Sequence, residues 1–192
     1  SSYDYCHLGY QSGRSRPDYA TGFMPPFIAG RLSYWLNIQG PSFVLDTACS
    51  SGLVALHQAY KAVKSGECEM ALAGGINVMT VPTYSEIMSM VGALSIDGKC
   101  KTFDADANGT VRSEGGAIFL LKRLDLAIND GDQILSVIKG SAVTHDGRSS
   151  SITAPNGQSQ IRAIRSALAS SGISPSEVGY IEAHGTGTVL GD

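Results

Sequence analysis

Hydrophobic positions along this chain change their period repeatedly, and each change predicts an element. Residues 43–45, Phe-Val-Leu, form a short apolar run that reads as a buried strand. Beyond Cys49, the residues Leu53, Leu56, Tyr60 and Val63 recur at i, i+3, i+7 and i+10, which predicts a helix that Gly66 terminates. Residues 70–79 are nearly continuously apolar around Gly74 and Gly75, the pattern of a strand covered on both faces in a parallel sheet. Strands are also expected at 117–121 and 134–143, with a short helix at 124–129 between them. From Gln158 onward, Ile161, Ile164 and Leu168 mark a second amphipathic helix, with Gly172 placed to cap it. Ser174-Pro175-Ser176-Glu177 has the form of a capping box with Pro at the first helical position. A last strand at 178–183 leads into His184. Residues 1–40 read as loop-rich apart from an apolar segment at 28–36, and 80–114 as a long functional or interface excursion. Strands alternating with helices imply an α/β layered fold.

Composition narrows the function classes. The 192 residues are enough for one well-cored domain, and 43% hydrophobic with 16% charged residues suits a globular protein. A net charge of −3 gives no basic patch for nucleic acid. No apolar run is long enough to span a bilayer, and no charged-then-apolar leader is present. The four cysteines, Cys6, Cys49, Cys68 and Cys100, contain no CxxC pair, which argues against a metal site and for reduced thiols in a cytoplasmic setting. The chain starts without Met and stops just past a Gly-rich turn, so it reads as a central piece of something longer.

The chemistry concentrates at two places that follow one plan. In Val44-Leu45-Asp46-Thr47-Ala48-Cys49-Ser50 and in Tyr180-Ile181-Glu182-Ala183-His184-Gly185-Thr186, an apolar run ends in an acid, a small residue and a reactive side chain before a tight turn. Functional groups in parallel sheets sit at the C-terminal ends of strands, so Cys49 and His184 are expected to share one pocket. Cys49 opens a helix, where orphan N–H groups and the dipole favour an anion by about 0.3–2 kcal/mol. The thiolate is the nucleophile, and a stabilisation of that size alone makes it competent but incomplete, so a partner is expected. The plainer alternatives are an inert buried thiol and a turn histidine satisfied by backbone. Gly185 and Gly187 allow the backbone close approach to a substrate arm. His57 is read as packing or surface, and His7 and His145 as structural or solvent-facing.

Three motifs carry a family likeness: Asp46-Thr47-Ala48-Cys49-Ser50-Ser51, Glu182-Ala183-His184-Gly185-Thr186-Gly187-Thr188 and Gly191-Asp192. Between them, Gly74-Gly75-Ile76-Asn77-Val78-Met79, Cys100-Lys101-Thr102-Phe103-Asp104-Ala105 and Val111-Arg112-Ser113-Glu114-Gly115 fall in the same order. The chain resembles the ketosynthase (β-ketoacyl synthase) domain of type I modular polyketide synthases over nearly its whole length. Departures are Ser113, where the family usually has Gly, and Thr144-His145, where it usually has Asn-Gln.

The resemblance implies a thiolase-like fold, layered α-β-α-β-α and incomplete here. Residues 1–132 would be most of the first half and 133–192 the opening of the second. A second catalytic His and a catalytic Lys would lie beyond Asp192, so the piece alone is expected to be inactive. It also implies decarboxylative Claisen condensation, with Cys49 as acyl acceptor and His184 as an oxyanion donor. Thr186 and Thr188 would bind pantetheine, although short hydroxyls in turns also bond their own backbone. Glu114 would support the active site or stand as a solvated loop carboxylate. No cofactor or metal is implied beyond the phosphopantetheine that carries the substrates. The implied partners are an acyl carrier protein and a second copy in a homodimer, with no nucleic acid and no membrane. The rival readings are a non-elongating domain that only accepts and passes acyl chains, a thiolase or acyl-CoA-using synthase, a Cys–His hydrolase, and a non-enzymatic structural domain.

Overall fold

A computed structural model describes residues 4–13 and 16–192. Its contacts divide the chain into two units, Ser1–Pro82 with Ser113–Arg123, and Thr83–Arg112 with Leu124–Asp192.

The first unit begins with helices, not the loop-rich stretch that the scattered Gly and Pro suggested. These are α1 (Asp4–Gln11), α2 (Tyr19–Gly22) and α3 (Pro26–Leu36). Pro26 pre-sets the first turn of α3, and Asn37 closes it in the left-handed region (φ 52°), donating its N–H to Ser33 and Tyr34. The Tyr19 and Phe23 rings meet at 4.5 Å with their planes tilted by 44°, so short-range aromatic packing holds the second helix where periodicity gave no signal. The Asp4 carboxylate accepts the N–H groups of Thr80 (3.0 Å) and Val81 (3.3 Å), which ties α1 to the chain leaving the sheet.

At the centre of this unit α4 (Ser51–Ser65) packs on a two-stranded ribbon of β1 (Met70–Asn77) and β2 (Gly115–Lys122). Gly66 terminates α4 with φ 79°. The expected stripe is shifted, because Ala59 and Val63 are buried while Leu53 is 75% exposed. The strands pair antiparallel, from Met70 opposite Lys122 to Asn77 opposite Gly115. This corrects the parallel sheet expected from the apolar run. Nor is the run covered on both faces, since Met70, Leu72 and Ile76 are exposed; an apolar run by itself carries no information about strand direction.

Small residues set the depth of packing. A Cβ on Gly75 would lie 3.3 Å from the Gly52 Cα, and a Cβ on Gly74 would collide with the Ala117 carbonyl oxygen. Ala73, in the same stretch, is buried. Helix backbone therefore meets strand backbone with almost nothing between them.

The second unit holds α5 (Thr83–Met90), α6 (Leu124–Asn129) and α7 (Gly157–Ser171). Asn156 caps α7 by accepting the Gln158 N–H at 3.1 Å, and Gly172 ends it with φ 69°. Ser174 and Glu177 form the capping box, around a 3₁₀ turn (Pro175–Glu177). Ser159, fully buried, donates its hydroxyl to the Asp146 carbonyl (3.2 Å), and Asn156 donates to the same oxygen (2.9 Å). Excursion 80–114 is ordered by hydrogen bonds, with Ser95 N–H donated to Thr110 and Thr110 N–H to Ala93, both at 2.9 Å.

The expected strands at 43–45, 134–143 and 178–183 carry no ladder among the described residues. A strand exists only with a partner, and hydrophobicity alone does not supply one. Gly140 shows what replaces pairing at 134–143: a Cβ there would meet the Ser171 nitrogen at 2.5 Å, so this segment lies directly on the end of α7. Among the described residues no helix is long and apolar enough to cross a membrane.

If close backbone contact sets the packing of β1, Gly74→Ala, which would drive a Cβ into the β2 backbone at Ala117, lowers stability by about 1–3 kcal/mol, read as a reduced denaturant midpoint. Gly30→Ala, in α3 with open space around it, leaves stability unchanged or raises it by about 0.5–1 kcal/mol. The opposite order would contradict the packing account.

Candidate active site

Cys49 stands in a 3₁₀ turn (Ala48–Ser50) that feeds directly into α4. The backbone turns at Ala48, whose φ of 55° is unusual for a residue with a Cβ. Such a conformation costs about 1–3 kcal/mol and persists only when neighbours over-determine it. They do so here. The Asp46 carboxylate accepts the Ala48 N–H at 2.9 Å. The Ser51 hydroxyl accepts the Thr47 N–H (2.9 Å) and donates to the Ala48 carbonyl (2.7 Å). The Ser50 hydroxyl donates to the Thr47 carbonyl, and its oxygen lies 2.9 Å from the Thr47 hydroxyl. The acid and hydroxyls around Cys49 thus hold the turn, and Cys49 itself is exposed.

Glu114 belongs to the same unit. Its carboxylate accepts the Met79 N–H at 2.6 Å, and Asn77 donates to the Ser113 carbonyl at 2.6 Å, which extends the ribbon past its last ladder pair. Gly52 meets Gly75, and Asn77 faces Gly115, so Cys49 and Glu114 both lie at the end of the ribbon where β1 finishes. The contact this structure gives Glu114 is to backbone.

His184, Thr186 and Thr188 belong to the second unit. His184 is exposed and lines a shallow cleft of about 200 Å³ with Thr102, Phe103, Tyr180, Glu182 and Gly185. The turn after it sits on residues 100–109. Thr102 donates its hydroxyl to the Gly185 carbonyl at 2.7 Å, and the Cys100 thiol donates to the Thr186 carbonyl at 3.3 Å. Gly109 donates its N–H to the Gly187 carbonyl at 2.8 Å. Gly187 is buried at φ 68°, and a Cβ there would meet the Lys101 nitrogen at 2.9 Å, so only glycine fits.

The Asp192 carboxylate closes this knot. It accepts N–H groups from Phe103 (2.8 Å) and Gly187 (3.1 Å) and the Thr186 hydroxyl (3.3 Å). The Phe103 N–H, then Gly187 and Thr186, hold its carboxyl below the usual carboxylate range. Phe103 is left-handed (φ 58°), strained for an aromatic residue, and the Asp192 bond helps hold it. Asp97 braces the same platform. The Ser95 hydroxyl, and after it Lys101 at 2.9 Å, keep its carboxyl well below the usual range.

The hydroxyls of Thr186 and Thr188 lie 2.9 Å apart, and the Thr188 hydroxyl also accepts the Gly191 N–H at 3.1 Å. Both are engaged within the turn, and each oxygen keeps capacity for a further partner. Sequence reading singled out His184 but gave no role to Thr102, Cys100 or Asp192. Their motifs were legible, but not the fact that they meet.

The linkage sign for Asp192 is that of a depressed carboxyl. Its contribution is full above the unfolded value of about 3.9 and is lost as pH falls through the lower folded value. Amide-exchange protection of Phe103 and Gly187 is therefore expected to hold from neutral pH down to about 4 and to fall below it. Asp192→Asn should lower that protection at neutral pH and remove the acid step. An unchanged acid step in the variant would contradict the role of Asp192.

The family model for the β-ketoacyl synthase N-terminal domain matches residues 2–127, and that for the C-terminal domain matches residues 135–192. A phenolphthiocerol/phthiocerol polyketide synthase of Mycobacterium tuberculosis is 48% identical over all of this chain, which spans 9% of that protein. Polyketide synthase PksN of Bacillus subtilis is 50% identical over 97% of the chain, which spans 4% of it. Among solved structures, the ketosynthase from module 6 of the bacillaene synthase of Bacillus subtilis superposes with a TM-score of 0.87 at 41% identity, over 93% of this chain and 32% of that one. The oxazolomycin ketosynthase domain KS7 of OzmH from Streptomyces albus gives 0.86 at 44% identity, over 88% and 30%. These likenesses place the chain in the α/β, thiolase-like class that its motifs suggested. With both family models matched in order along one chain, this protein belongs to the β-ketoacyl synthase family and resembles the ketosynthase domains of polyketide synthases.

Proposed function

We propose that Cys49 is the acyl acceptor of a polyketide ketosynthase and that His184 donates to the enolate oxygen in the condensation step. The observation that carries the reading is the turn at Ala48–Ser50: a strained reversal, braced by Asp46, Thr47, Ser50 and Ser51, that leaves one exposed sulfur at the start of α4. A turn of that kind presents a nucleophile without covering it, as an acyl acceptor requires. Residues 1–132 are then most of the N-terminal half and 133–192 the opening of the C-terminal half, in keeping with family matches that end at 127 and begin at 135.

In the first step the Cys49 thiolate attacks the carbonyl of an acyl thioester. The carrier's carbon–sulfur bond breaks, and pantetheine leaves as a thiolate that takes up the proton Cys49 had given up, while the acyl group remains on Cys49. A malonyl-type thioester on the acyl carrier protein then loses carbon dioxide, and the pair from the broken carbon–carbon bond becomes an enolate. The enolate carbon attacks the acyl-Cys49 carbonyl and expels the thiolate. Charge builds on the extender oxygen during decarboxylation, so a fixed N–H donor there lowers the barrier; losing one such donor costs about a hundredfold or more. His184 is suited to this, because the platform at 100–109 and Asp192 fix the backbone that follows it. Thr186 and Thr188 would meet the pantetheine arm through their remaining hydrogen-bonding capacity. Glu114 would support the site by fixing the chain at the end of β1. The reaction takes no cofactor besides the carrier's phosphopantetheine, and the working unit would be a cytoplasmic homodimer.

The second reading is a domain of the same fold that accepts and passes acyl chains without condensing them. One experiment separates the two on a ketosynthase domain of the relatives' length carrying these residues. Radiolabelled acyl-pantetheine thioester labels the wild type and not Cys49→Ala. His184→Ala keeps the label and loses condensation by about a hundredfold or more. Equal labelling of Cys49→Ala would reject the nucleophile, and wild type that labels without condensing would favour the non-elongating reading.

A further inference from the structure

We infer that Thr102 is a positioning residue for His184, acting through its hold on Gly185, the residue that follows the histidine. The inference rests on the proposed role of His184 and narrows the platform at 100–109 to one side chain. Thr102 has two separate contacts with that glycine. Its hydroxyl donates to the Gly185 carbonyl at 2.7 Å. Its methyl group lies where a side chain on Gly185 would have to go, with Cγ2 only 2.6 Å from an ideal Cβ. Gly185 is left-handed at φ 51°, a conformation that favours glycine, so the chain turns immediately after His184, and both Thr102 contacts hold the residue bonded to it.

Thr102 makes the shorter contact with the Gly185 carbonyl, which the Cys100 sulfur reaches only at 3.7 Å. Cys100 holds the next carbonyl, that of Thr186, from the same side, and its sulfur lies 3.7 Å from the Thr102 hydroxyl. Phe103, next in sequence, is pinned through its N–H by Asp192. Thr102 therefore sits between two fixed residues and presents a hydroxyl with little freedom to the carbonyl of the residue after His184. His184 itself is exposed on the cleft, and Thr102 lines that cleft beside it. A donor that must meet an enolate oxygen is sensitive to small displacements, since about 1 Å can cost up to a hundredfold in rate.

The test uses Thr102→Val, which keeps the shape and removes the hydroxyl, and Thr102→Ser, which keeps the hydroxyl and removes the methyl group. Both are placed in a complete ketosynthase domain, with acylation of Cys49 and condensation measured side by side. Thr102→Val is expected to lower the ratio of condensation to acylation about tenfold, and Thr102→Ser to restore it to within about twofold of wild type. A role in general stability would lower both activities together in both variants. If Thr102→Val does not fold, Thr102→Ala is read against Thr102→Ser in its place. A ratio unchanged in the hydroxyl-lacking variant, or lowered equally in the serine variant, overturns the inference and leaves the role of His184 standing. Wild type that neither labels nor condenses overturns the proposed function, and this inference with it.

Discussion

The contact between Gly52 and Gly75 is the constraint on which the cysteine's position depends. Without side chains between them, the first turn of α4 rests on the β1 backbone, and Gly74 lets β1 approach Ala117 equally closely. Buried alanines and a valine complete this thin core: Ala59, Val63 and Ala73. Close packing of small residues gives little hydrophobic stabilisation per residue, but it allows almost no play. The turn before α4 inherits that rigidity, because Cys49 lies only three residues from Gly52. The strain at Ala48 is held in place at one end by this contact and at the other by the Asp46 carboxylate.

The histidine is held by a different kind of physics. Its segment has no strand partner among the described residues, and its turn is kept in shape by polar groups from a distant part of the chain. Each of those bonds is exposed or partly so, and a single one contributes only about 0.5–1.5 kcal/mol. Their number and geometry matter more than any one of them. Two left-handed glycines, Gly185 and Gly187, let the chain fold tightly enough for a single carboxylate, Asp192, to reach Gly187, Thr186 and Phe103. Segments held this way belong to the less stable part of a protein.

What could be read in the sequence follows the same division. Helices α4, α6 and α7 and their glycine caps at Gly66 and Gly172 were legible because periodicity and capping are local. Strand pairing was not. Residues 43–45, 134–143 and 178–183 announce themselves as apolar, yet a ladder needs a partner that composition does not name, and the same gap hid the antiparallel sense of β1 and β2. The amino-terminal helices were missed because aromatic contacts such as Tyr19 on Phe23 leave no period. Cys49 and His184 stood out through their motifs. Thr102 and Asp192 were visible in motifs too, but the first acts on a carbonyl 83 positions away and the second on an N–H 89 positions away, and no pattern in one sequence reports such a meeting.

The central proposal is that the Cys49 sulfur carries the acyl group while the His184 imidazole donates to the oxygen of the extender thioester. The most direct measurement is a crystal structure of the complete domain acylated on Cys49 and bound to a malonyl thioester analogue that cannot decarboxylate. The account predicts an imidazole nitrogen of His184 at about 2.6–3.2 Å from the analogue's thioester oxygen, with the acyl carbonyl of Cys49 facing the same molecule. An imidazole directed away from the analogue, with the acyl group in a separate cavity, would contradict it.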